Sequence, residues 1–189
     1  MNNKQLTYIV RTTSFGGRDI SEMKEKIPNL FVLVDYNHDA MGSFLNALTY
    51  TDGPMVILED DAELCENFVN KVEEAISQYP SQIINFFSLR KKDYEIRKPY
   101  EESGAKFIGN VCNYLPAQYG KKIAEYYKVW KRKEEHPTGY DLLMADWMKE
   151  NKLKYIQWFP HLVNHKECKS LINPKRSSKR TDKNFNKHI

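Results

Sequence analysis

Three consecutive carboxylates, Glu59, Asp60 and Asp61, stand at the end of the apolar run Met55 to Leu58. Charges packed that closely repel one another, so unless they face water they require a cation. Hard carboxylate oxygens suit Mg2+ or Mn2+ better than zinc. The plain alternative is a solvated acidic turn before a helix, in which Asp61 and Glu63 answer a helix N-terminus.

Other residues with chemistry to offer fall at the ends of elements. Arg11, Thr12, Thr13 and Ser14 close the first apolar strand pattern, where ligands of open α/β sheets gather, and their donors suit an anion or a ribose. Asp35 closes the second strand pattern and reads equally as a turn residue or as a base or ribose contact. Asp141 opens a late helix, where it either complements the helix dipole or serves as a firmly held general base. Asp146, in the middle of that helix, is a more ambiguous second carboxylate. His165 reads either as an ordinary structural histidine or as part of the site, with Lys166, Lys169, Lys175, Arg176, Lys179 and Arg180 beyond it. Such a basic stretch beside a suspected metal site suits a diphosphate leaving group.

Hydrophobic periodicity supplies the elements that would position these groups. Leu6 to Val10, Leu30 to Val34, the run ending in the carboxylates, and Ile83 to Ser88 read as strands. Between them, Ile20 to Lys26 (capped by Asp19 or Ser21), Met41 to Leu48, and the segment marked by Phe68, Val72, Ala75 and Ile76 read as helices. Such β-α alternation implies an α/β fold with a mainly parallel central sheet flanked by helices. The charged segment Arg90 to Glu102, with Pro99, reads as a surface loop or small hairpin. Phe107 to Leu115 is strand-like but interrupted by Gly109, a pattern that marks a bulge or a close approach to the backbone. A helix is expected from Pro116 through Tyr127, another after a Thr138 cap, and a last strand over Lys154 to Gln157.

The 189 residues, 41% hydrophobic and 13% aromatic, fit one globular domain rather than a disordered chain. We place that domain over 1–173, followed by a basic, low-complexity tail over 174–189. No run is long and apolar enough for a transmembrane span, and the N-terminus lacks the apolar core of a signal peptide. Three cysteines without short metal-type spacing suggest reduced thiols and a cytoplasmic setting. A net charge of +4 biases the chain mildly towards anionic partners.

The order of these features resembles a GT-A-type (Rossmann-like) glycosyltransferase. Leu58-Glu59-Asp60-Asp61, with Phe68 downstream, is similar to the Asp-x-Asp region of inverting N-acetylglucosaminyltransferases and of the bacterial lipooligosaccharide galactosyltransferase group. Pro160-His161-Leu162-Val163-Asn164-His165 is similar to the end of such domains, and some small phage-encoded glycosyltransferases share the layout, which would place the protein in a host cytoplasm. The resemblance implies a metal ligated by Asp61 and His165, with Mn2+ or Mg2+ as cofactor. It implies a nucleotide-sugar donor, UDP-linked by expectation, held by Arg11, Thr12, Thr13, Asp35, Glu59, Asp60, Lys166, Lys169 and Arg176. Gly109 and Asn110 would face the acceptor. Asp141 would take the place of the general base, although Asp146-Trp147-Met148 also resembles the segment around the base in one transferase group, which keeps both carboxylates in play.

The implied reaction is a single inverting displacement by an acceptor hydroxyl. Positive charge and the lack of a membrane element favour a polyanionic acceptor, so a hydroxymethylated base in phage-type DNA is the leading expectation. A bacterial surface glycan such as lipopolysaccharide is the alternative. A sugar nucleotidyltransferase is a further alternative, although Ser14-Phe15-Gly16-Gly17-Arg18 matches its phosphate loop poorly. A plain nucleic-acid-binding protein would leave the acidic cluster without a purpose.

Overall fold

The computed structural model describes residues 5–14 and 17–168, together with 181, 183, 185, 187 and 188. Its first half follows the alternation read from the sequence: β1 (Thr7–Thr13), α1 (Ser21–Lys26), β2 (Phe31–Asp35), α2 (Ala40–Leu48), β3 (Met55–Glu59), β4 (Ala62–Leu64), α3 (Phe68–Gln78) and β5 (Ile83–Asn85). The second half holds α4 (Lys91–Ile96), β6 (Tyr100–Ser103), β7 (Cys112–Leu115), α5 (Tyr119–Val129), α6 (Tyr140–Glu150), β8 (Lys154–Gln157) and β9 (Val163–His165).

Seven strands form one sheet in the order β2-β1-β3-β7-β5-β8-β6, while β4 and β9 make a separate two-stranded sheet. Period-two alternation sorts the strand residues onto two faces. Tyr8, Val10, Val56 and Leu58 join Met23 of α1 and Phe68 and Val72 of α3 in one core. Ile9, Met55 and Ile57 join Phe44 of α2, Ile123 of α5 and Leu143 of α6 in the other. The result is an α/β sandwich with helices on both faces of the sheet, compatible with a Rossmann-like architecture.

The sheet is mostly parallel, as expected, with five of its seven strands running one way, but two reversed strands make it mixed. β1 is parallel to both β2 and β3, and β5 is parallel to β8. However, β7 lies antiparallel between β3 and β5, and β6 runs antiparallel along β8 at the edge. Alternation along a chain specifies which strands share a direction, but not which later strand inserts between them.

Several boundaries also differ from expectation. The segment expected as a loop over Arg90 to Glu102 contains α4 and most of β6 because it carries its own buried polar centre. Asp93 is fully buried, Arg90 Nη2 donates to Gln157 Oε1 at 3.0 Å, and the Tyr100 hydroxyl donates to Asp93. β5 is shorter than expected: Asn85 Oδ1 accepts the Phe87 N–H at 3.1 Å, so a side chain takes over where the ladder ends. The strand-like run from Phe107 becomes regular only at Cys112, after Gly109 has turned the backbone to φ +83°. Helix α5 begins at Tyr119 rather than Pro116, and α6 is capped at Gly139 without a side-chain hydrogen bond, so Thr138 does not cap it. Asp19 accepts the Ser21 N–H at 2.9 Å, although Ile20 occupies the cap position of α1.

Residues 174–180 of the expected tail lie outside the described residues. Four described residues further on are docked on the domain. Phe185 packs against the first core, Lys187 Nζ is 2.8 Å from Glu22 Oε1, Glu66 N–H donates to the Lys187 carbonyl at 2.7 Å, and His188 Nδ1 lies 2.7 Å from Glu66 Oε1. Thr181 Oγ1 donates to the His165 carbonyl at 2.9 Å. All three cysteines are free thiols; Cys65 and Cys112 are buried and Cys168 is half-buried. Among the described residues, no helix is long and apolar enough to cross a membrane.

Candidate functional site

The site forms where β1 and β3 end side by side. Their parallel register sets Arg11 beside Glu59 and, on the other flank of β1, Thr13 beside Asp35. The end of β1 therefore lies between the acidic stretch and the second strand's aspartate.

Asp60 and Asp61 leave the strand and turn inward; only 5% and 4% of their surface is exposed. This excludes the solvated-turn alternative, because buried carboxylates require partners. Asp60 has two: Thr12 Oγ1 donates to its Oδ2 at 2.7 Å and Arg18 Nη1 to its Oδ1 at 2.5 Å. The same Arg18 Nη1 lies 3.5 Å from Asp61 Oδ2. Two neighbouring anions thus share one guanidinium, and burial, the largest influence on Arg18, is outweighed by these charges, so its pKa is raised.

Asp61 also meets His165. Antiparallel pairing of β4 with β9 places His165 opposite Ala62, and the Lys166 N–H donates to the Asp61 carbonyl at 2.8 Å. The ring is then held with Nε2 3.1 Å from Asp61 Oδ2 and Nδ1 2.8 Å from the Lys166 carbonyl. A carbonyl only accepts, so Nδ1 carries a proton, and Nε2 faces the carboxylate. Two electron-rich atoms at that separation repel unless a proton or a metal ion lies between them. Nε2 has no hydrogen-bond partner, and the side chain is 1% exposed. The Cys168 Sγ completes a cluster in which one ligand atom each from Asp61, His165 and Cys168 lie within 4.8 Å of one another. One carboxylate and one imidazole fit a divalent ion, and fit Mn2+ better than Mg2+.

Glu59 has a different environment. Burial, reinforced by the charge of Asp61, pushes its carboxyl up to about 7, while Arg11 and the Tyr140 hydroxyl oppose the rise and Asp141 adds to it. Tyr140 donates to Glu59 Oε1, and Arg11 Nη2 lies 3.8 Å from the same oxygen. The Arg11 guanidinium is also stacked 4.6 Å from the Tyr140 ring centroid and 5.1 Å from that of Phe44. Arg11 is 8% exposed. Its charge therefore faces Glu59 and two rings from within the fold, rather than standing open to a diphosphate.

The two base candidates separate clearly. Asp141, half-buried in the first turn of α6, lies close enough for its charge to raise the pKa of both Glu59 and Tyr140. Asp146 instead accepts from the Trp130 indole at 2.9 Å and from Arg132 Nη1 at 3.2 Å, tying α6 to the segment that precedes it.

At the end of β2, the Asp35 carbonyl accepts from Ser14 N–H and Thr13 Oγ1, both at 3.1 Å, and its carboxylate accepts the Asn37 N–H at 2.8 Å. Beside it, an open pocket of ≈ 280 Å³ lies between the end of β2 and the start of α2, lined by Val34, Asp35, Tyr36, Asn37 and Ser43 among others. Lys166 turns its Nζ to the Asp19 carbonyl at 3.4 Å. Lys169 and Arg176 lie outside the described residues. On the opposite flank, Gly109 lies beside Phe87, whose ring is 6.5 Å from that of His165; a Cβ at Gly109 would sit 3.4 Å from the Phe87 ring. Asn110 is buried and accepts from Asn113 Nδ2.

Arg18, Tyr140 and Cys168 are the residues that the sequence did not single out. Arg18 follows a glycine whose added Cβ would meet the Thr13 carbonyl at 2.2 Å, and that close turn carries it back over the carboxylates. Cys168 stands three residues after His165, a chelating spacing that acquires meaning only once His165 is placed beside Asp61. No protein-family model matches the chain, and no curated protein matches it in sequence.

Proposed function

We propose that the chain is a divalent-metal-dependent glycosyltransferase of the inverting type, with the GT-A-like architecture its motifs resemble and a nucleotide-sugar, expected to be UDP-linked, as donor. The observation that carries this reading is the meeting of Asp61 and His165 at 3.1 Å beside Asp60, with Asp141 close enough for its charge to act on Glu59. Asp61 and His165 would hold the ion, and a divalent ion bound there supplies positive charge to a diphosphate leaving group. Arg18 adds a second positive charge at the same place. Thr12, Thr13 and Asp35 lead from the carboxylates to the pocket between β2 and α2, which suits the nucleoside. Asp141 takes the proton of the acceptor hydroxyl as it attacks the anomeric carbon. Gly109, with no side chain beside Phe87, leaves space on the acceptor flank.

For the acceptor, we retain the hydroxymethylated base in DNA, supported by the net charge of +4, with a surface glycan as the alternative. Two cations of the 90–102 segment do not support it. Arg90 is committed to Gln157 and Tyr100, and Lys92 Nζ is 2.8 Å from Glu102 Oε2. Lys175, Arg176, Lys179 and Arg180 lie outside the described residues. The test is to offer labelled UDP-sugars with hydroxymethylated DNA, unmodified DNA and lipopolysaccharide. Label in hydroxymethylated DNA alone supports the full proposal, label in the glycan alone moves the acceptor, and no sugar transfer from any donor overturns it.

One observation favours a second reading. Arg18, from the segment that follows β1, reaches both Asp60 and Asp61, as the phosphate-binding loop of a sugar nucleotidyltransferase would. Release of pyrophosphate from a nucleoside triphosphate and a sugar 1-phosphate would establish that reaction instead.

A further inference from the structure

Cys168 adds to the Asp61–His165 pair a donor of different chemistry. Its Sγ lies within 4.8 Å of the other two ligand atoms and donates to the Lys166 carbonyl at 3.3 Å, the same oxygen that fixes the His165 ring through Nδ1. One backbone carbonyl therefore aims both side chains. The imidazole side chain is only 1% exposed, and its Nε2 faces Asp61 Oδ2 at 3.1 Å without forming a hydrogen bond. That enclosed nitrogen, set against a carboxylate without a hydrogen bond, is an observation independent of the thiol, and it points to an ion in the same space.

We propose that Cys168 is a third protein ligand, making an Asp61–His165–Cys168 centre that selects a thiophilic divalent ion such as Zn2+ over Mg2+. The proposal rests on the reading of Asp61 and His165 as metal ligands and changes its expected cofactor. Carboxylate alone suits hard ions, imidazole suits zinc and its neighbours, and thiolate selects strongly for them. On binding, the Cys168 S–H bond breaks, a sulfur–metal bond forms, and the proton leaves to solvent with no change of oxidation state. Metal-bound tetrahedral ligand atoms lie roughly 3–4 Å apart, a range that the 3.1 Å separation of Asp61 and His165 already meets. Three protein ligands leave a fourth position for an oxygen of an incoming phosphate.

The test uses the full chain, metal-free and kept reduced by a phosphine, titrated with Co2+ and read by absorption. The wild type is expected to show a thiolate-to-cobalt charge-transfer band that Zn2+ abolishes at stoichiometric concentration and that Mg2+ leaves intact in large excess. In Cys168→Ser the band is lost and Zn2+ affinity falls by at least about 10-fold, the lower end of what altering a metal environment costs. In Asp61→Asn, Co2+ and Zn2+ binding both fail. Circular dichroism of each variant checks that the fold persists. A charge-transfer band that survives in Cys168→Ser, or unchanged Zn2+ affinity there, overturns the role of Cys168 while leaving the Asp61–His165 pair standing. Absence of binding by any divalent ion to the wild type overturns both.

Discussion

Replacing Arg18 by Met removes a charge while keeping most of the side-chain volume, and isolates what the guanidinium does for the two carboxylates. In the wild type, Asp60 and Asp61 are nearly enclosed, Arg18 lies 2.5 Å from one and 3.5 Å from the other, and its side chain is only 17% exposed. Solvent screening at such a place is weak. Breaking a buried pair by deleting one partner costs about 3–5 kcal/mol, because the remaining charge stays buried without compensation. For a chain of this length each kcal/mol corresponds to roughly 2–4 °C, so thermal unfolding without metal should fall by roughly 6–20 °C. A divalent ion is the alternative counter-charge, and at 100 times its dissociation constant it adds about 2.7 kcal/mol to any form that binds it. It should bind Arg18→Met more tightly than the wild type, since no guanidinium opposes it. Differential scanning fluorimetry of both proteins, with chelator and with added Mn2+ or Zn2+, reads both effects. A melting temperature unchanged in chelator, or an equal rise in both proteins on adding metal, would refute the idea that guanidinium and ion serve the same carboxylates.

Three further outcomes follow from particular contacts. Asp141→Asn should lower turnover by roughly 10²–10⁴-fold with donor affinity retained. Asp146→Ala should act on stability instead, by about 1–3 kcal/mol, since it strands the Trp130 and Arg132 donors; steady-state kinetics beside urea unfolding separates the two, and the reverse pattern would exchange the roles. Burial works to raise the Glu102 carboxyl, but Lys92, the Ser103 N–H and Lys106 overcome it and hold it down to about 2. The folded form thus binds that proton less readily than the unfolded chain, whose ordinary value is 4.5. The contribution is fully present above about pH 5 and is lost as pH falls towards 2. Urea midpoints of wild type and Glu102→Gln should therefore converge on acidification, and a gap independent of pH would contradict the assignment.

What the sequence made legible was local. The apolar run ending in three carboxylates occupies contiguous residues, so β3 and its acidic end could be read directly, as could the helical stripes of α2 and α3. The insertion of β7 between β3 and β5 could not, because ladder partners are chosen by the whole sheet and leave no mark at Cys112–Leu115. Within the site, Asp61 and His165, both singled out from the sequence, meet at 3.1 Å. The place of Cys168 in that cluster depends on β4 meeting β9, a contact between distant short segments with no periodic signature. Arg11 shows the converse limit. Its position at a strand end suggested an anion donor, but strand-end position does not reveal which face a side chain takes, and Arg11 faces Tyr140 and Phe44. Arg18, across a glycine turn, is the guanidinium that reaches Asp60 and Asp61.

We propose that this strand end binds a nucleoside diphosphate through a divalent ion held by Asp61 and His165. Isothermal titration of UDP into wild type and Asp61→Asn, each with Mn2+, with Zn2+ and with chelator, tests it most directly. The expected result is UDP binding to the wild type only when an ion is present, with no ion-dependent binding to Asp61→Asn. Equal UDP affinity in chelator, or ion-dependent binding that survives Asp61→Asn in a folded protein, would contradict it.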